Sequence, residues 1–225
     1  MRKTFFTFIC LILSCQLLTA QNWDVNTLHT INKWDVHGIS RGLSHSGMIL
    51  PVGIPTAMGI YALIQKDQAL LKDAVFIGTS VIEAVGITYG LKHAFNRQRP
   101  YDKHPDKIHL VGKAESSPSF PSGHTTAAFA LATSLSITYP KWYVIAPSAL
   151  WACGVGFARM NQGVHYPSDV LTGAAIGVGC AFVNIYVNKW LNKAPGPGSW
   201  PWHSSCRTSP PAKREGGELY GTQVQ

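Results

Sequence analysis

Five long hydrophobic runs constrain the fold of this chain more than any other feature. The runs carry almost no charge, are rich in Ala, Leu, Ile and Gly, and cover residues 48–64, 74–91, 125–139, 142–158 and 170–187. Each has 15 to 18 residues, which is too long for a typical strand and slightly short of the ~20 residues that span a bilayer as a helix. The runs therefore predict an all-α fold, either a soluble bundle or a set of membrane helices.

Two observations favour membrane helices over a soluble bundle. Charged residues make up 13% of the 225 residues, about half the usual share of a soluble domain. Gly and Pro also interrupt the runs, for example at Pro51, Pro55, Gly173 and Gly177; such residues weaken helices in water and are tolerated between lipid-embedded helices. We expect a bundle of five to six mostly hydrophobic helices that spans a membrane, with a soluble bundle as the alternative.

The N-terminal residues 1–20 have the order of an export signal. Arg2 and Lys3 precede an uncharged run, and the small residues Thr19 and Ala20 close it. This pattern predicts a cleaved signal peptide or a retained N-terminal anchor. In either case the residues that follow begin outside the cytoplasm.

The rest of the chain divides into three parts. Residues 21–46 mix Trp, Val and Ile with polar residues at a loosely helical period, which predicts an amphipathic helix at the membrane interface. Residues 47–193 hold the five runs and form the expected helical domain. Residues 194–225 are dominated by Pro, Gly and Ser and predict a disordered tail.

Charge and cysteine content narrow the function. The formal net charge is +8, which indicates an anionic partner. Between Lys92 and Lys113, six basic residues face only two acidic ones. Because the N-terminus is expected to be exported and two runs precede this basic loop, the loop is expected outside the cytoplasm. Basic loops are usually cytoplasmic, so we expect anion binding to be the reason for its charge.

Nucleic acid is a poor candidate for the anionic partner because the sequence contains no recognisable nucleic-acid-binding module. The five cysteines show neither the spacing of a zinc site nor a disulfide pattern.

The first of three polar segments at the ends of the runs is KHAFNRQRP, residues 92–100. Lys92 and Arg99 are seven residues apart, so on one helix they share a face and can both reach one anion. On that helix Arg97 points elsewhere. Pro100 is expected to end the helix. Taken alone, these cations also fit side chains that extend to the membrane edge.

The second segment, SFPSGHTTAAF, begins the third run. Ser122 suits the N-cap position of a helix, and Gly123 allows a ligand to approach the backbone closely. Free N–H groups at a helix start attract anions. His124 adds a titratable proton at the same opening, although a plain helix cap explains the pattern equally well.

The third segment, ARMNQGVHYPSD, joins the fourth and fifth runs. Arg159 follows one run, while His165 and Asp169 precede the next. Asp169 suits the first turn of a helix. It could equally hold His165 by a hydrogen bond, which would make the other ring nitrogen a better nucleophile or base.

Together, the three segments bring a lysine, two arginines and two histidines to helix ends on the same side of the predicted bundle. KHAFNRQRP, PSGH and ARMNQGVHYPSD resemble the three-part signature of the type 2 phosphatidic acid phosphatase and vanadium haloperoxidase superfamily, most closely its membrane-associated lipid phosphatases. The spacing matches throughout, and one position departs from the pattern: Ala158 stands where the family usually has Ser.

The resemblance implies an all-α phosphatase that needs no metal and no cofactor. It implies that His165 attacks phosphorus and forms a phosphohistidine, that Asp169 orients His165, and that His124 protonates the leaving group. It also implies a set of residues that hold the phosphoryl oxygens, namely Lys92, Arg99, Ser122, Gly123 and Arg159.

A membrane site near the outer face favours a lipid substrate, either a phosphate monoester or a pyrophosphate. The expected location is the inner membrane, with the active site facing the periplasm or exterior. The alternatives are a soluble, exported, nonspecific acid phosphatase of the periplasm, a vanadate-dependent haloperoxidase that uses the same residues, and a membrane protein without activity. The sequence favours no particular oligomeric state.

Overall fold

The computed structural model describes residues 23–191, which contain helices and connecting segments and no strand. The predicted signal or anchor, residues 1–20, and the predicted tail, residues 194–225, lie outside the described residues. The helices of the described part are α1 (residues 23–32), α2 (His37–Gln65), α3 (Gln68–Phe95), α4 (Pro100–Lys103), α5 (Gly123–Thr138), α6 (Trp142–Asn161) and α7 (Pro167–Leu191). The prediction of an all-α fold is confirmed.

Helix α5 lies at the centre of the bundle and packs against α2, α3, α6 and α7. Its closest neighbour is α7, where two glycines remove the side chains that would separate the backbones. A Cβ at Gly173 would lie 2.7 Å from the Ser122 carbonyl oxygen, and one at Gly177 would lie 2.4 Å from the Thr126 carbonyl oxygen. This small-residue contact brings the starts of α5 and α7 together.

The outer surface of the bundle is strongly apolar. Three segments are long and apolar enough to cross a membrane: His37–Gln65, Gln68–Lys103 and Pro167–Lys189. Helix α5 is shorter, with 16 residues, and is enclosed by the other helices. Large hydrophobic side chains face outward on several helices, among them Met48, Val52, Ile60, Ile82, Leu150, Leu171 and Tyr186. An apolar surface of this extent is typical of a protein embedded in lipid.

The stretch predicted as one interfacial helix, residues 21–46, is divided between two helices. Helix α1 ends at residue 32, and α2 begins at His37 and continues through the whole first hydrophobic run. Asn161 fixes the break between them, because its side-chain amide donates hydrogen bonds of 2.9 Å to the carbonyl oxygens of Ile31 and Trp34. These bonds satisfy backbone acceptors that a continuing helix would have used.

Helix α3 ends earlier than the sequence suggested. Asn96 follows Phe95 in the left-handed conformation, with φ 42° and ψ 43°, which Asn tolerates better than most residues. The prediction that Lys92 and Arg99 share a helix face was therefore wrong. Pro100 does not stop α3 either; it is the first residue of α4, where a missing N–H costs nothing.

Candidate active site

The polar segments meet at one end of the bundle. The ends of α3 and α6 lie beside the starts of α5 and α7, because successive long helices run in opposite directions. A loop over residues 104–122 covers this end and contributes side chains of its own. The expectation that the three segments converge agrees with this arrangement.

Two buried arginines form the most charged part of the site. Arg99 and Arg159 both pair with Glu115 of the loop: the Arg99 Nη2 to Glu115 Oε2 distance is 2.7 Å, and Arg159 Nη2 contacts Glu115 Oε1. Burial alone would raise the pKa of Glu115, but the two guanidinium groups outweigh it and hold this pKa well below its usual range. We call Arg99 and Arg159 the anion seat, since together they bind one carboxylate.

Other contacts fix the anion seat independently of Glu115. Arg99 donates from Nε to the Ser117 carbonyl oxygen at 2.8 Å and from Nη1 to the Val164 carbonyl oxygen at 3.0 Å. Arg159 donates from Nη1 to Ser44 Oγ at 2.7 Å. Donors held in place before an anion arrives need no reorganisation during a reaction.

His165 lies between the anion seat and Asp169 and is buried. Its Nε2 is 3.4 Å from Arg99 Nη1, and its Nδ1 is 3.6 Å from Asp169 Oδ2. The second distance is longer than a hydrogen bond. Burial lowers the pKa of His165 to about 4, and Arg159 and Arg99 act in the same direction. The ring is therefore neutral at physiological pH and has a lone pair available for attack.

Asp169 is held from several directions. Its Oδ1 accepts a 2.5 Å bond from Arg97 Nη1, and its Oδ2 accepts bonds from Ser119 Oγ at 2.5 Å and from the Tyr166 N–H at 2.9 Å. The prediction that Arg97 points elsewhere was wrong, because the left-handed turn at Asn96 directs the chain back over the site.

The PSGH segment starts α5, as the sequence predicted. Ser122 occupies the N-cap position, but its Oγ pairs with Thr125 Oγ1 at 2.9 Å instead of capping the backbone. The Ser122 N–H donates to the Asp169 carbonyl oxygen at 3.1 Å, which ties α5 to α7. Gly123 is the first residue of α5, and the adjacent His124 interacts electrostatically with Arg159 and other charged groups of the site.

Lys92 completes the cationic side of the site from the last turn of α3. Its Nζ donates to the Pro118 carbonyl oxygen in the loop. It also interacts electrostatically with both arginines of the anion seat and with Glu115. All eight residues singled out by the sequence patterns thus belong to one end of the bundle.

Sequence reasoning missed three groups at this end of the bundle: Glu115 and Ser119, which contact residues of this set directly, and Asp24, which contacts Arg97 beside Asp169. Glu115 carries one usable signal, because it is the only acidic residue between Asp106 and Asp169. Asp24 carries none, since it contacts Arg97 and Ser168 over separations of more than 70 residues.

The acidic residues of the site are paired with arginines and do not form a ligand set. Within residues 23–191, no group of three or more His, Cys, Asp or Glu side chains is placed to hold a metal ion. The positive charge of the site comes from side chains.

The fold and the site together define a class of helical membrane protein in which a buried histidine lies beside a pair of fixed arginines. The family model of the PAP2 superfamily matches residues 73–193, a stretch that contains all three polar segments. The chain belongs to the PAP2 superfamily, which confirms the resemblance drawn from its sequence.

Known proteins similar to this chain include lipid phosphatases. The chain is 31% identical over 150 residues to a lipid A 1-phosphatase of Rhizobium etli, covering 60% of this chain and 61% of that protein, which is less than two thirds of its length. It is 28% identical over 154 residues to the undecaprenyl-diphosphatase BcrC of Bacillus subtilis, covering 66% and 78%. Its fold is similar to the crystal structure of Aquifex aeolicus LpxE, with a TM-score of 0.60, 28% identity, and coverage of 73% of this chain and 95% of that one.

Proposed function

We propose that this protein removes phosphate from a membrane lipid, acting on a phosphate monoester or a pyrophosphate without a metal ion. The observation that carries the proposal is the anion seat beside His165. Two buried arginines bind one carboxylate there, and the nearer ring nitrogen of His165 is 3.4 Å from one of them. A phosphoryl group can take the place of that carboxylate.

The proposed reaction has two steps. Burial lowers the pKa of His124, and the negative charge of an arriving phosphoryl group favours its protonated form. The phosphoryl group displaces Glu115 from the anion seat, His165 Nε2 attacks phosphorus, and the bond to the leaving oxygen breaks as protonated His124 donates a proton to that oxygen. In the second step His124 takes a proton from water, the resulting oxygen attacks the phosphohistidine, and inorganic phosphate leaves with His165 restored. Asp169 stabilises the positive imidazole ring that forms along the way.

The charge of the transferred phosphoryl group is met by side chains. Lys92, Arg99 and Arg159 supply three positive charges, and arginine also forms paired hydrogen bonds to phosphoryl oxygens. Backbone donors at Gly123 add to them. This supply of fixed positive charge supports a reaction that needs no metal.

The apolar surface of the bundle supports a lipid substrate over a soluble one. The names of the two relatives refer to lipid A and to undecaprenyl diphosphate. A soluble acid phosphatase would have to cover the outward-facing hydrophobic side chains, so these side chains support a membrane location. We propose that this membrane is the inner membrane. The head group recognised is best identified by assay.

The direct test is phosphate release by the purified protein in detergent with a chelator present. The panel comprises phosphatidic acid, phosphatidylglycerol phosphate, an isoprenyl pyrophosphate, lipid A and a soluble aryl phosphate. We expect release from at least one lipid and none from the His165→Ala variant. Loss of activity with chelator and recovery with magnesium would contradict the metal-independent reaction.

A second assay separates the roles of the two histidines. His124→Ala should lose most activity with poor leaving groups and recover part of it with an activated aryl phosphate, which needs little protonation. His165→Ala should recover none. Halide oxidation after addition of vanadate, with no phosphate release, would instead indicate a haloperoxidase.

We also propose that the site faces the periplasm or exterior. The order of the export signal and the following runs supports this orientation. A reporter fused after Lys103 should behave as exported, and one fused after Asp67 should behave as cytoplasmic. The reverse pattern would overturn the orientation and leave the chemistry untouched.

A further inference from the structure

We propose that Asp24 and Arg97 are positioning residues that hold Asp169, and through it His165, so that helix α1 completes the active site. The inference rests on the proposed function, because it assigns these residues a part in the same reaction. Arg97 lies inside the first polar segment but not at a position that matches the family signature, and Asp24 lies outside all three segments. Neither residue contacts the anion seat.

Arg97 bridges two carboxylates. Its Nη1 donates to Asp169 Oδ1 at 2.5 Å, and its Nη2 donates to Asp24 Oδ2 at 3.0 Å. The two nitrogens of one planar guanidinium therefore join helix α1 to the residue that faces His165. A lysine ammonium keeps the charge but lacks the planar fork that presents one nitrogen to each carboxylate.

Asp24 also holds the start of α7. Its Oδ1 accepts a 2.9 Å bond from the Ser168 N–H, and its Oδ2 accepts one from Ser168 Oγ. Ser168 is the second residue of α7, where N–H groups lack partners within the helix. A carboxylate from another helix thus acts as the cap, one residue before Asp169.

A packed aromatic ring fixes the guanidinium from a third side. Arg97 Cζ lies 3.9 Å from the centroid of the Tyr166 ring, a distance at which a cation is attracted to the ring face. Tyr166 packs in turn with Leu28 of α1 and Ile108 of the loop. The position of Arg97 is therefore set by α1 as well as by Asp169.

The arrangement of bonds on Asp169 explains how Arg97 would affect the chemistry. Arg97 occupies Oδ1, while Oδ2 takes the bonds from Ser119 and Tyr166 and faces His165 Nδ1 at 3.6 Å. Without Arg97 the carboxylate loses its only hydrogen-bond partner at Oδ1 among the described residues, and its plane is less firmly set. The expected consequence is a slower attack by His165 with little change in substrate binding.

The test is a double-mutant cycle on the full-length protein in detergent, with kcat and KM measured on the aryl phosphate and the best lipid substrate. We expect Arg97→Met to lower kcat about tenfold, in the range typical for outer partners of functional groups, with KM changed less than about twofold. In an Asp169→Asn background the Arg97→Met change should lower kcat less than about twofold, because the carboxylate that Arg97 holds has already been removed. Asp24→Asn should give a smaller loss of the same kind.

Two further variants separate positioning from folding. Arg97→Lys should restore part of kcat, whereas Arg41→Met, which removes an exposed arginine of α2, should leave kcat unchanged. Thermal unfolding and monodispersity in detergent are measured for every variant. If Arg97→Met does not fold, Asp24→Asn replaces it in the cycle with Asp169→Asn.

Equal losses of kcat in both backgrounds, or a rise in KM alone, would overturn the positioning role. An inactive wild-type protein that matches His165→Ala on every phosphate substrate would instead refute the proposed function. The two failures are distinct, since the first requires an active wild-type enzyme.

Discussion

Two ion-pair clusters flank His165, one at each ring nitrogen, and they are built in opposite ways. At the Nε2 side, the cations are buried: the side chains of Arg99 and Arg159 are 2% and 5% exposed, while Glu115 is 30% exposed and comes from a loop. The fixed part of this cluster is positive, and the more exposed part is the anion.

At the Nδ1 side the arrangement is reversed. The carboxylates of Asp24 and Asp169 are 5% and 0% exposed, and the bridging Arg97 is 29% exposed. The fixed part here is negative, and further contacts hold it in place: Asp24 accepts from Ser168, and Asp169 accepts from Ser119 and from the Tyr166 N–H. This cluster is suited to support the imidazole ring permanently.

This difference indicates how each cluster takes part in the proposed reaction. A carboxylate held by two buried cations can be exchanged for another anion, because the cations keep their own partners when it leaves. Buried carboxylates held by backbone and side-chain donors are not exchanged in this way. We therefore expect the first cluster to receive substrate and the second to set the orientation of the group that attacks it.

The largest effect is expected from breaking the first cluster. Arg159→Ala should lower kcat/KM by about 10²- to 10³-fold, the size of the loss typical when a preorganised donor is removed. Arg159→Lys should lose less, because it keeps the charge but not the paired hydrogen bonds. Steady-state kinetics on the aryl phosphate measures both, and a wild-type value for Arg159→Ala would exclude the anion seat.

Breaking the second cluster should give a smaller loss of a different kind. Asp169→Asn removes the charge that supports the imidazolium but keeps the shape of the side chain, so we expect weak residual activity, about 100-fold below wild type in kcat. KM should stay within about twofold, since Asp169 does not contact the anion seat. A large rise in KM with kcat unchanged would contradict the proposal that Asp169 supports the imidazole ring and takes no part in anion binding.

The placement of the polar segments at helix ends could be predicted from the sequence. The contacts of Arg97, Asp24 and Glu115 could not, for physical reasons that differ between them. The spacing around Lys92, His124 and His165 placed the reacting groups at helix ends, because hydrophobic runs mark helices and polar residues mark their ends. The contact of Arg97 depends on one left-handed residue, Asn96, which reversed the expected direction of the side chain. Helical periodicity carries no information about a residue that breaks the helix.

Long-range contacts account for the other omissions. Asp24 lies in a segment whose pattern predicted only an interfacial helix, and its contact with Ser168 spans 144 residues. Glu115 lies in a loop without periodicity. Both carboxylates can be assigned to the site only from the fold, which brings each of them next to its arginine partners.

A moderate effect should follow from removing the exchangeable anion. Glu115→Gln removes the charge that competes with phosphate for Arg99 and Arg159, so inorganic phosphate and vanadate should inhibit several-fold more tightly. Asp102→Asn, a change at an exposed acid of α4, serves as the matched control and should leave inhibition unchanged. Equal tightening in both variants would indicate a general charge effect.

The smallest effect concerns acid stability. His165 is neutral when folded, with a pKa of about 4, whereas an unfolded histidine has a pKa of about 6.5. Between these values the unfolded chain binds the extra proton, so wild-type stability should fall as pH falls from about 6.5 to 4. His165→Gln removes this contribution, and its unfolding temperature should depend less steeply on pH over that window. Identical slopes for the two proteins would contradict a neutral buried His165.

The proposed reaction transfers a phosphoryl group held in the anion seat to His165. The direct measurement is rapid quenching of the enzyme with radiolabelled substrate and chelator, followed by peptide mapping of the labelled residue. We expect a label on His165 that is labile in acid and stable in base, and no label in His165→Ala. Turnover at the wild-type rate with no labelled residue, or with the label on His124, would contradict the transfer to His165.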